Sequence, residues 1–198
     1  MTSHQPPRVD KAELRARLLV RRRSMTADEQ LKAGDEITDR LLRQPEVEEA
    51  RTIAAYASVG AEPPTEGLLE ALRGRGVTVL LPVLLLDLDL DWAEYDGPGS
   101  LAPGPHGLRQ PESPRLGTAA VTEADVVLCP GLAVDRRGAR LGRGGGSYDR
   151  VIARLPDDVW SCVVLFADEI MTGPVPQDPH DQRVRAAVTP ESVVRFPA

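Results

Sequence analysis

The sequence predicts an α/β fold, a three-layer α/β/α sandwich with a mostly parallel, Rossmann-like central sheet reached through two N-terminal helices. Three observations carry this. Near-continuous apolar runs at 124–135 (ADVVLCPGLAVD) and 160–169 (WSCVVLFADE) have the pattern of strands covered on both faces. Strand-type runs alternate with amphipathic stretches of helical period, the order of a wound α/β domain. The 198 residues suffice to bury a core as one domain spanning 1–198, with residues 1–9 as a disordered tail.

Taken in order, Asp10 followed by Glu13 and Thr26 followed by Glu29 have capping-box spacing, in which a side chain accepts from the amide three residues on. They predict helices over about 11–24 and 27–44, with Leu14, Leu18, Leu31, Ile37 and Leu41 turned to the core. RTIAAYASV (51–59) reads as a strand and TEGLLEALRGRG (65–76) as a helix closed by Gly74 or Gly76. VTVLLPVL (77–84) reads as a buried strand, LDWAEYD (90–96) as an antiparallel, part-exposed one. From Gly97 to Gly117, five glycines and five prolines in 21 residues exclude a regular element. A flexible linker is one reading; a binding loop is the other, and is favoured by so long a segment inside one domain. DRRGAR (135–140) predicts a hairpin-like connection.

Net charge is −6, unevenly spread: residues 1–23 hold seven Arg/Lys against two acids, and the remaining 17 basic and 28 acidic residues leave the body at −11. An acidic body argues against a general nucleic-acid binder, while the basic start reads either as a site for a small polyanion or as a solvated helix face. The longest apolar run, Val77–Leu86, is interrupted by Thr78 and Pro82 and is about half of the roughly 20 residues a membrane span needs. No apolar leader segment follows the N-terminus, so a cytoplasmic protein without membrane partners is expected. Cys129 and Cys162 lie in apolar runs and read as reduced core thiols.

The densest chemical signal is RLGRGGGSYDR (140–150), with four glycines, three arginines and one aspartate in eleven positions. Behind it Tyr148, Val151, Ile152 and Leu155 recur at helical spacing. Strand, glycine loop and helix start is an arrangement in which main-chain amides converge on an anion; a mobile surface loop is the alternative. Arg140 and Arg143 add charge to the same place. Asp149 falls about 100° round from Tyr148, off the apolar stripe. A carboxylate beside phosphate needs a divalent cation between them, which makes Asp149 a candidate Mg²⁺ ligand. No Lys-Ser/Thr pair follows the glycines as in a P-loop, and Ser147 stands where G-x-G-x-x-G requires its third glycine.

The string R-L-G-R-G-x-G-x-Y-D, taken with KAELR (11–15), IAAYASVGAEPPT (53–65), HGLRQPE (106–112), DVVLCPGLAVDRRGARLGRGGGSYDR (125–150) and VPQDPHDQRV (175–184) in that order, closely resembles the 5-formyltetrahydrofolate cyclo-ligase family, also called 5,10-methenyltetrahydrofolate synthetases. The resemblance implies a cytoplasmic monomer that uses ATP and Mg²⁺ to convert 5-formyltetrahydrofolate, with or without a polyglutamate tail, to 5,10-methenyltetrahydrofolate. The formyl oxygen is phosphorylated, N10 closes the ring, and ADP and phosphate are released. It assigns ATP contacts to Lys11 and Arg15 and to the loop formed by Arg140, Leu141, Gly142, Arg143, Gly144, Gly145, Gly146, Ser147 and Tyr148. Folate contacts then fall on Ala57 and Glu62 and on Arg143 to Ser147, Mg²⁺ ligation on Asp149 and Asp181, and charge stabilisation in catalysis on Arg140, Arg143 and Asp149.

The residues are compatible with these assignments on their own chemistry. Lys11 and Arg15 are i and i+4 on one helix and can address one anion, whereas the flanking Arg17 and Arg21–Arg23 read as a solvated face. Glu62, just past a strand end, can accept from the N–H edge of a pterin; Asp181 in its proline-rich loop reads equally as a turn residue. Two positions depart from the family pattern. Ser147 precedes Tyr148 where many members carry adjacent tyrosines, and Arg185 stands at an often acidic place, which bear on the folate side and on the surroundings of the metal. A paralogue acting on another N-formyl substrate and a non-catalytic folate- or nucleotide-binding regulator are the rival readings.

Overall fold

The structure is a computed structural model describing residues 10–197; residues 1–9, expected as a disordered tail, and residue 198 lie outside the described residues. Helices α1 (Lys11–Ser24) and α2 (Ala27–Leu41) begin where the capping signals place them. Thr26 caps α2 reciprocally: its Oγ1 accepts from the Glu29 N–H at 3.2 Å, and Glu29 Oε2 accepts from the Thr26 N–H at 2.7 Å. Asp10 makes no such bond. α2 stops before the expected residue 44, because a separate short helix, α3 (Pro45–Glu48), restarts on Pro45 at a first-turn position that needs no N–H donor. Leu31 is exposed rather than in the core, since it lies six residues before the buried Ile37, about 240° round the helix.

β1 (Thr52–Ala54) is shorter than the expected 51–59. After the Ala55 N–H bonds to Leu80 O, the chain leaves the sheet for a turn knotted by Thr65, whose Oγ1 donates to Tyr56 O at 2.8 Å and accepts from the Ser58 N–H at 3.0 Å. α4 (Glu66–Gly74) leads into β2 (Thr78–Leu84), parallel to β1, and β3 (Leu90–Glu94) returns antiparallel. The stretch from Gly97 to Gly117 is more ordered than its composition implies: β4 (Leu101–Pro103) and β5 (Arg109–Pro111) form a two-stranded ribbon. Proline is tolerated there because both strands of a ribbon are edges.

Next come β6 (Val126–Pro130), β7 (Ala133–Asp135), β8 (Arg140–Leu141), α5 (Ser147–Ala153), β9 (Trp160–Val164), β10 (Ile170–Met171), β11 (Ala186–Val188) and β12 (Val193–Arg195). The main sheet has the order β12-β11-β9-β6-β1-β2-β3, its five inner strands parallel and each edge strand antiparallel. Alternation along the strands feeds two cores. Ile53, Val126 and Leu128 face α2 and α4 through Ile37, Leu41, Leu68 and Leu72, while Ala54 and Val127 face the opposite layer with Val121 and Val151. Helices therefore cover both faces of a mostly parallel sheet, as the sequence predicts.

The long apolar run at 124–135, however, serves two sheets rather than one. Beyond Pro130 the chain bends at Gly131, and β7 pairs with β8 and β10 in a separate three-stranded sheet. A Cβ on Gly131 would sit 2.5 Å from Val163 Cγ2, so glycine alone lets the backbone pass β9 this closely. The hairpin over DRRGAR forms as expected, with Asp135 Oδ1 accepting from the N–H groups of Arg137 and Ala139. α1 packs on this small sheet through Leu14 and Leu18 against Leu132, Ala139 and Leu141.

Arg22 departs from the expected solvated face. It continues the Leu14–Leu18 stripe by four more residues and is 1% exposed. Its Nε and Nη2 donate to the two oxygens of Glu169 at 2.7 Å, and Nη2 also donates to Gly131 O at 2.6 Å. α1 is thus bolted to the bend after β6 and to the turn before β10. Among the described residues no helix is long and apolar enough to cross a membrane. Cys129 and Cys162 are free and buried, and burial pushes the Cys129 thiol up to about 11.

Removing one member of a buried ion pair strands the other's charge, a cost of about 3–5 kcal/mol. Glu169→Ala is accordingly expected to lower the unfolding free energy by about that amount, read as a fall in the urea midpoint at unchanged slope.

Candidate active site at the sheet switch point

From β1 the chain winds outward to β2, and from β6 it winds the opposite way through β9 to β11, so the order reverses between β1 and β6. Ligands of open α/β sheets bind at the carboxyl ends of strands at such a reversal. A cavity of about 690 Å³ opens there. Tyr56 and Ala57 beyond β1, and Pro130 at the end of β6 with Gly131 after it, line it. Lys11 and Arg15 of α1 and the glycine loop supply a cationic wall, Leu84, Leu88 and Leu90 an apolar one.

The loop is closed at its neck. Arg140 Nη2 donates to Asp149 Oδ1 at 3.0 Å, joining β8 to α5, and Asp149 Oδ1 also accepts from the Gln182 N–H at 3.2 Å. Residues 141–148 must bow out between these ends, with Gly144 and Gly146 at φ of 110° and 71°, in the region that favours glycine. Arg15 Nε donates to Gly142 O at 2.9 Å and lays its guanidinium against Gly144. Arg143 reaches across to Glu62, Nε to Oε1 at 3.1 Å, and donates to Val59 O. α5 holds seven residues, so positive potential here comes from the arginines and loop amides more than from a long helix.

Lys11 Nζ donates to Asp178 Oδ2 at 2.6 Å and to Asp181 Oδ2. Burial works to lower the Lys11 pKa, but the bonds and charges of Asp178 and Asp181 outweigh it and the ammonium is held above its usual value. Burial likewise pushes Asp181 up, and the Lys11 partnership outweighs it, leaving the carboxylate below its usual value. Glu62 goes the other way: burial raises its pKa, and the Arg143 charge with the Val59 N–H bond offsets only part of that. The Tyr56 and Tyr148 phenols are held well above their usual value, first by burial and then by neighbouring groups that include Glu62.

Every residue singled out by sequence, from Lys11, Arg15, Ala57 and Glu62 to the run Arg140–Asp149 and Asp181, lines this one cavity. Asp178, His180 and Asp181 offer ligand atoms within 4.8 Å of one another, while the Asp149 carboxylate is engaged by Arg140. A divalent cation could be held by Asp181 with Asp178 or Asp149, which the bond to Gln182 brings to the same segment. The sequence reading missed Asp178 as partner of Lys11, Tyr56 in the lining, and Arg22. Two signals were present: Asp178 stands three residues before Asp181 in a mutually bonded turn, and Arg22 extends an i, i+4 apolar stripe. Tyr56 carried no signal inside its strand-type run.

The model of the 5-formyltetrahydrofolate cyclo-ligase family matches residues 7–190. The chain belongs to this family. It is 39% identical over 91% of its length to the 5-formyltetrahydrofolate cyclo-ligase of Mycolicibacterium smegmatis, covering 94% of that protein. To the 5-formyltetrahydrofolate cyclo-ligase of Escherichia coli it is 30% identical, with 87% and 96% of the two chains covered. Among solved structures, the Aquifex aeolicus 5,10-methenyltetrahydrofolate synthetase superposes with a TM-score of 0.81 at 25% identity, over 94% of this chain and 92% of that one. The Mycoplasma pneumoniae 5,10-methenyltetrahydrofolate synthetase, at 19% identity and a TM-score of 0.74 over 92% and 99% of the chains, shares the fold. The cyclo-ligase family is a family of enzymes, and the fold of this member is that of the solved synthetases.

The raised pKa of Glu62 has a definite sign. Below the ordinary glutamate value of 4.5 the group is protonated folded and unfolded; as pH rises past it, the unfolded chain loses its proton first and stability falls until the folded value is passed. Glu62→Gln is expected to flatten that fall, measured by urea unfolding at steps between about pH 4 and 7.

Proposed function

We propose that this protein is a monomeric, single-domain cytoplasmic cyclo-ligase that converts 5-formyltetrahydrofolate to 5,10-methenyltetrahydrofolate with ATP and Mg²⁺. The observation that carries the reading is one cavity lined by a glycine loop, four cations, Lys11, Arg15, Arg140 and Arg143, a buried carboxylate, Glu62, and an apolar wall. An anion and a neutral N–H-rich ring each find their chemistry there. The cavity is within the range of small-molecule sites, and among the described carboxylates that line it Glu62 is the one in the turn after β1.

When bound, ATP supplies the phosphoryl group that makes the formyl oxygen a leaving group, and Mg²⁺ neutralises phosphate oxygens. The rest is positioning and charge stabilisation. The amides of 142–146, left free by the outward bow of the loop, would face phosphate oxygens, with Arg15 buttressing the loop from behind at Gly142 O. Arg140, held by Asp149 and Pro130 O, presents a fixed charge at the neck. With Asp181 free to hold a cation, Lys11 would turn from its carboxylate partners to phosphate. Glu62 accepts from the pterin N–H edge, Ala57 gives the ring a smooth bed, and Arg143 sits between the two ligands. N10 of the folate then attacks the activated formyl carbon, the five-membered ring closes, and phosphate leaves with the N10 proton given up to it or to solvent.

Release of phosphate from ATP should depend on 5-formyltetrahydrofolate and match the rise in methenyltetrahydrofolate absorbance. Phosphate release without folate, or none with it, would contradict the reading. Asp149→Asn, which keeps the side-chain shape, is expected to lower turnover roughly 100-fold or more with the circular dichroism spectrum unchanged. For Arg143→Ala, calorimetry is expected to show ATP binding weaker by about ten-fold or more, the scale of a lost charge-assisted hydrogen bond; equal nucleotide affinity would remove the loop assignment.

A further inference from the structure

Among the described residues only two that are not glycine hold a left-handed backbone, Leu88 at φ of 66° and His106 at φ of 55°. Both line the active cavity. Leu88 closes the turn between β2 and β3, its N–H donating to Leu85 O at 3.1 Å, at the place where a three-residue hairpin loop ordinarily carries glycine. A leucine there is strained, and such strain clusters at ligand-binding positions whose surroundings hold it in place. This turn is held. Arg150 Nη1 donates to Leu88 O at 3.1 Å, and Arg154 Nη1 and Nη2 donate to Asp89 Oδ1 and Oδ2 at 3.1 and 2.7 Å, which fixes the turn to α5. Leu88 is nevertheless 40% exposed, so its side chain gains little packing in the free protein.

The cavity extends past β1 toward the β3 edge of the sheet, away from β6. Leu84, Leu88 and Leu90 on that side and Leu108 of the ribbon supply apolar lining, and Arg109 follows Leu108 as the first residue of β5. Arg109 differs from the other cations of the lining. Lys11, Arg140 and Arg143 each have a carboxylate and Arg15 a carbonyl at 2.9 Å. Arg109 is exposed, meets no carboxylate among the described residues, and reaches Pro98 O only at 3.5 Å. A folate has the complementary sequence of groups: beyond the pterin comes a flat apolar aryl ring, then a glutamate with its carboxylates. Leucines can bed the ring, and an uncommitted guanidinium can pair a carboxylate.

We propose that the β2–β3 turn and the ribbon form the subsite for the aryl-glutamate part of the folate, with Arg109 pairing a glutamate carboxylate and Leu88 packing against the aryl ring. This rests on the folate reading of the cavity. It makes Arg109 a specificity-determining residue for the tail of the substrate, apart from the pterin contact at Glu62 and from the phosphate loop.

Calorimetry with 5-formyltetrahydrofolate and with 5-formyltetrahydropteroate, which lacks the glutamate, separates the two contacts. Wild type is expected to bind the glutamate-bearing compound about three- to ten-fold more tightly, the scale of a partly exposed charge-assisted hydrogen bond. Arg109→Gln is expected to erase that preference, with affinities for the pteroate and for a non-hydrolysable ATP analogue unchanged. Leu88→Gly is expected to weaken both folate compounds alike, while the free variant melts at the wild-type temperature or higher because glycine relieves the left-handed strain. A merely structural leucine would lower it. The proposal is overturned, with the folate reading left in place, by a wild type without preference for the glutamate, by an Arg109→Gln variant that keeps the preference or binds the ATP analogue more weakly, or by a Leu88→Gly variant that melts lower or binds both compounds as wild type does. A wild type that binds neither folate compound would overturn both.

Discussion

The Arg140–Asp149 ion pair is the constraint from which the rest of the site follows. Both side chains are largely buried, and they pin the end of β8 to the first turn of α5 at 3.0 Å. With its ends held, the intervening chain has no room to run straight, and it can bow outward only through residues that tolerate unusual dihedrals or very close neighbours. A Cβ on Gly142 would lie 2.6 Å from Arg140 Nη1, so the guanidinium that closes the neck also requires the glycine beside it. Glycine richness and arginine content in this motif are thus one requirement, not two.

The second layer of support comes from α1. Leu14 and Leu18 seat the helix on the small sheet, Arg22 bolts its far end to Glu169 and Gly131, and Lys11 and Arg15 are thereby delivered to the cavity at its near end. Like charges gathered this closely repel, and each is compensated by an acceptor: Arg15 by Gly142 O, Arg143 by Glu62, Lys11 by Asp178 and Asp181. The half-exposed Arg143 can exchange partners at modest cost. The buried Arg22–Glu169 pair cannot, which suits a hinge-free mounting.

Local patterns in the sequence were enough for the parallel sheet, the starts of the first two helices, the Thr26 cap and the helix behind the glycine loop, though not for a cap at Asp10. What they could not show was where a continuous apolar run changes sheet. Nothing in ADVVLCPGLAVD marks Gly131 as a bend except its closeness to Val163, a contact with a strand more than thirty residues away. For the same reason the ribbon within 97–117 was hidden by its prolines, which cost little on paired edges. The charged positions of the site were legible as a motif and through family resemblance. Arg22 was misread because charge was weighed before its place in the stripe, and Tyr56 was silent because an aromatic in a strand-type run has an adequate packing explanation.

The claim underlying all of this is that main-chain amides between residues 142 and 146 receive the phosphates of a nucleotide. Amide hydrogen exchange of the protein with and without a saturating Mg²⁺–ATP analogue measures it most directly. The account predicts that exchange slows at these amides when the nucleotide binds, beyond any change elsewhere in the chain. Nucleotide binding that leaves exchange across 142–146 unaltered would contradict it.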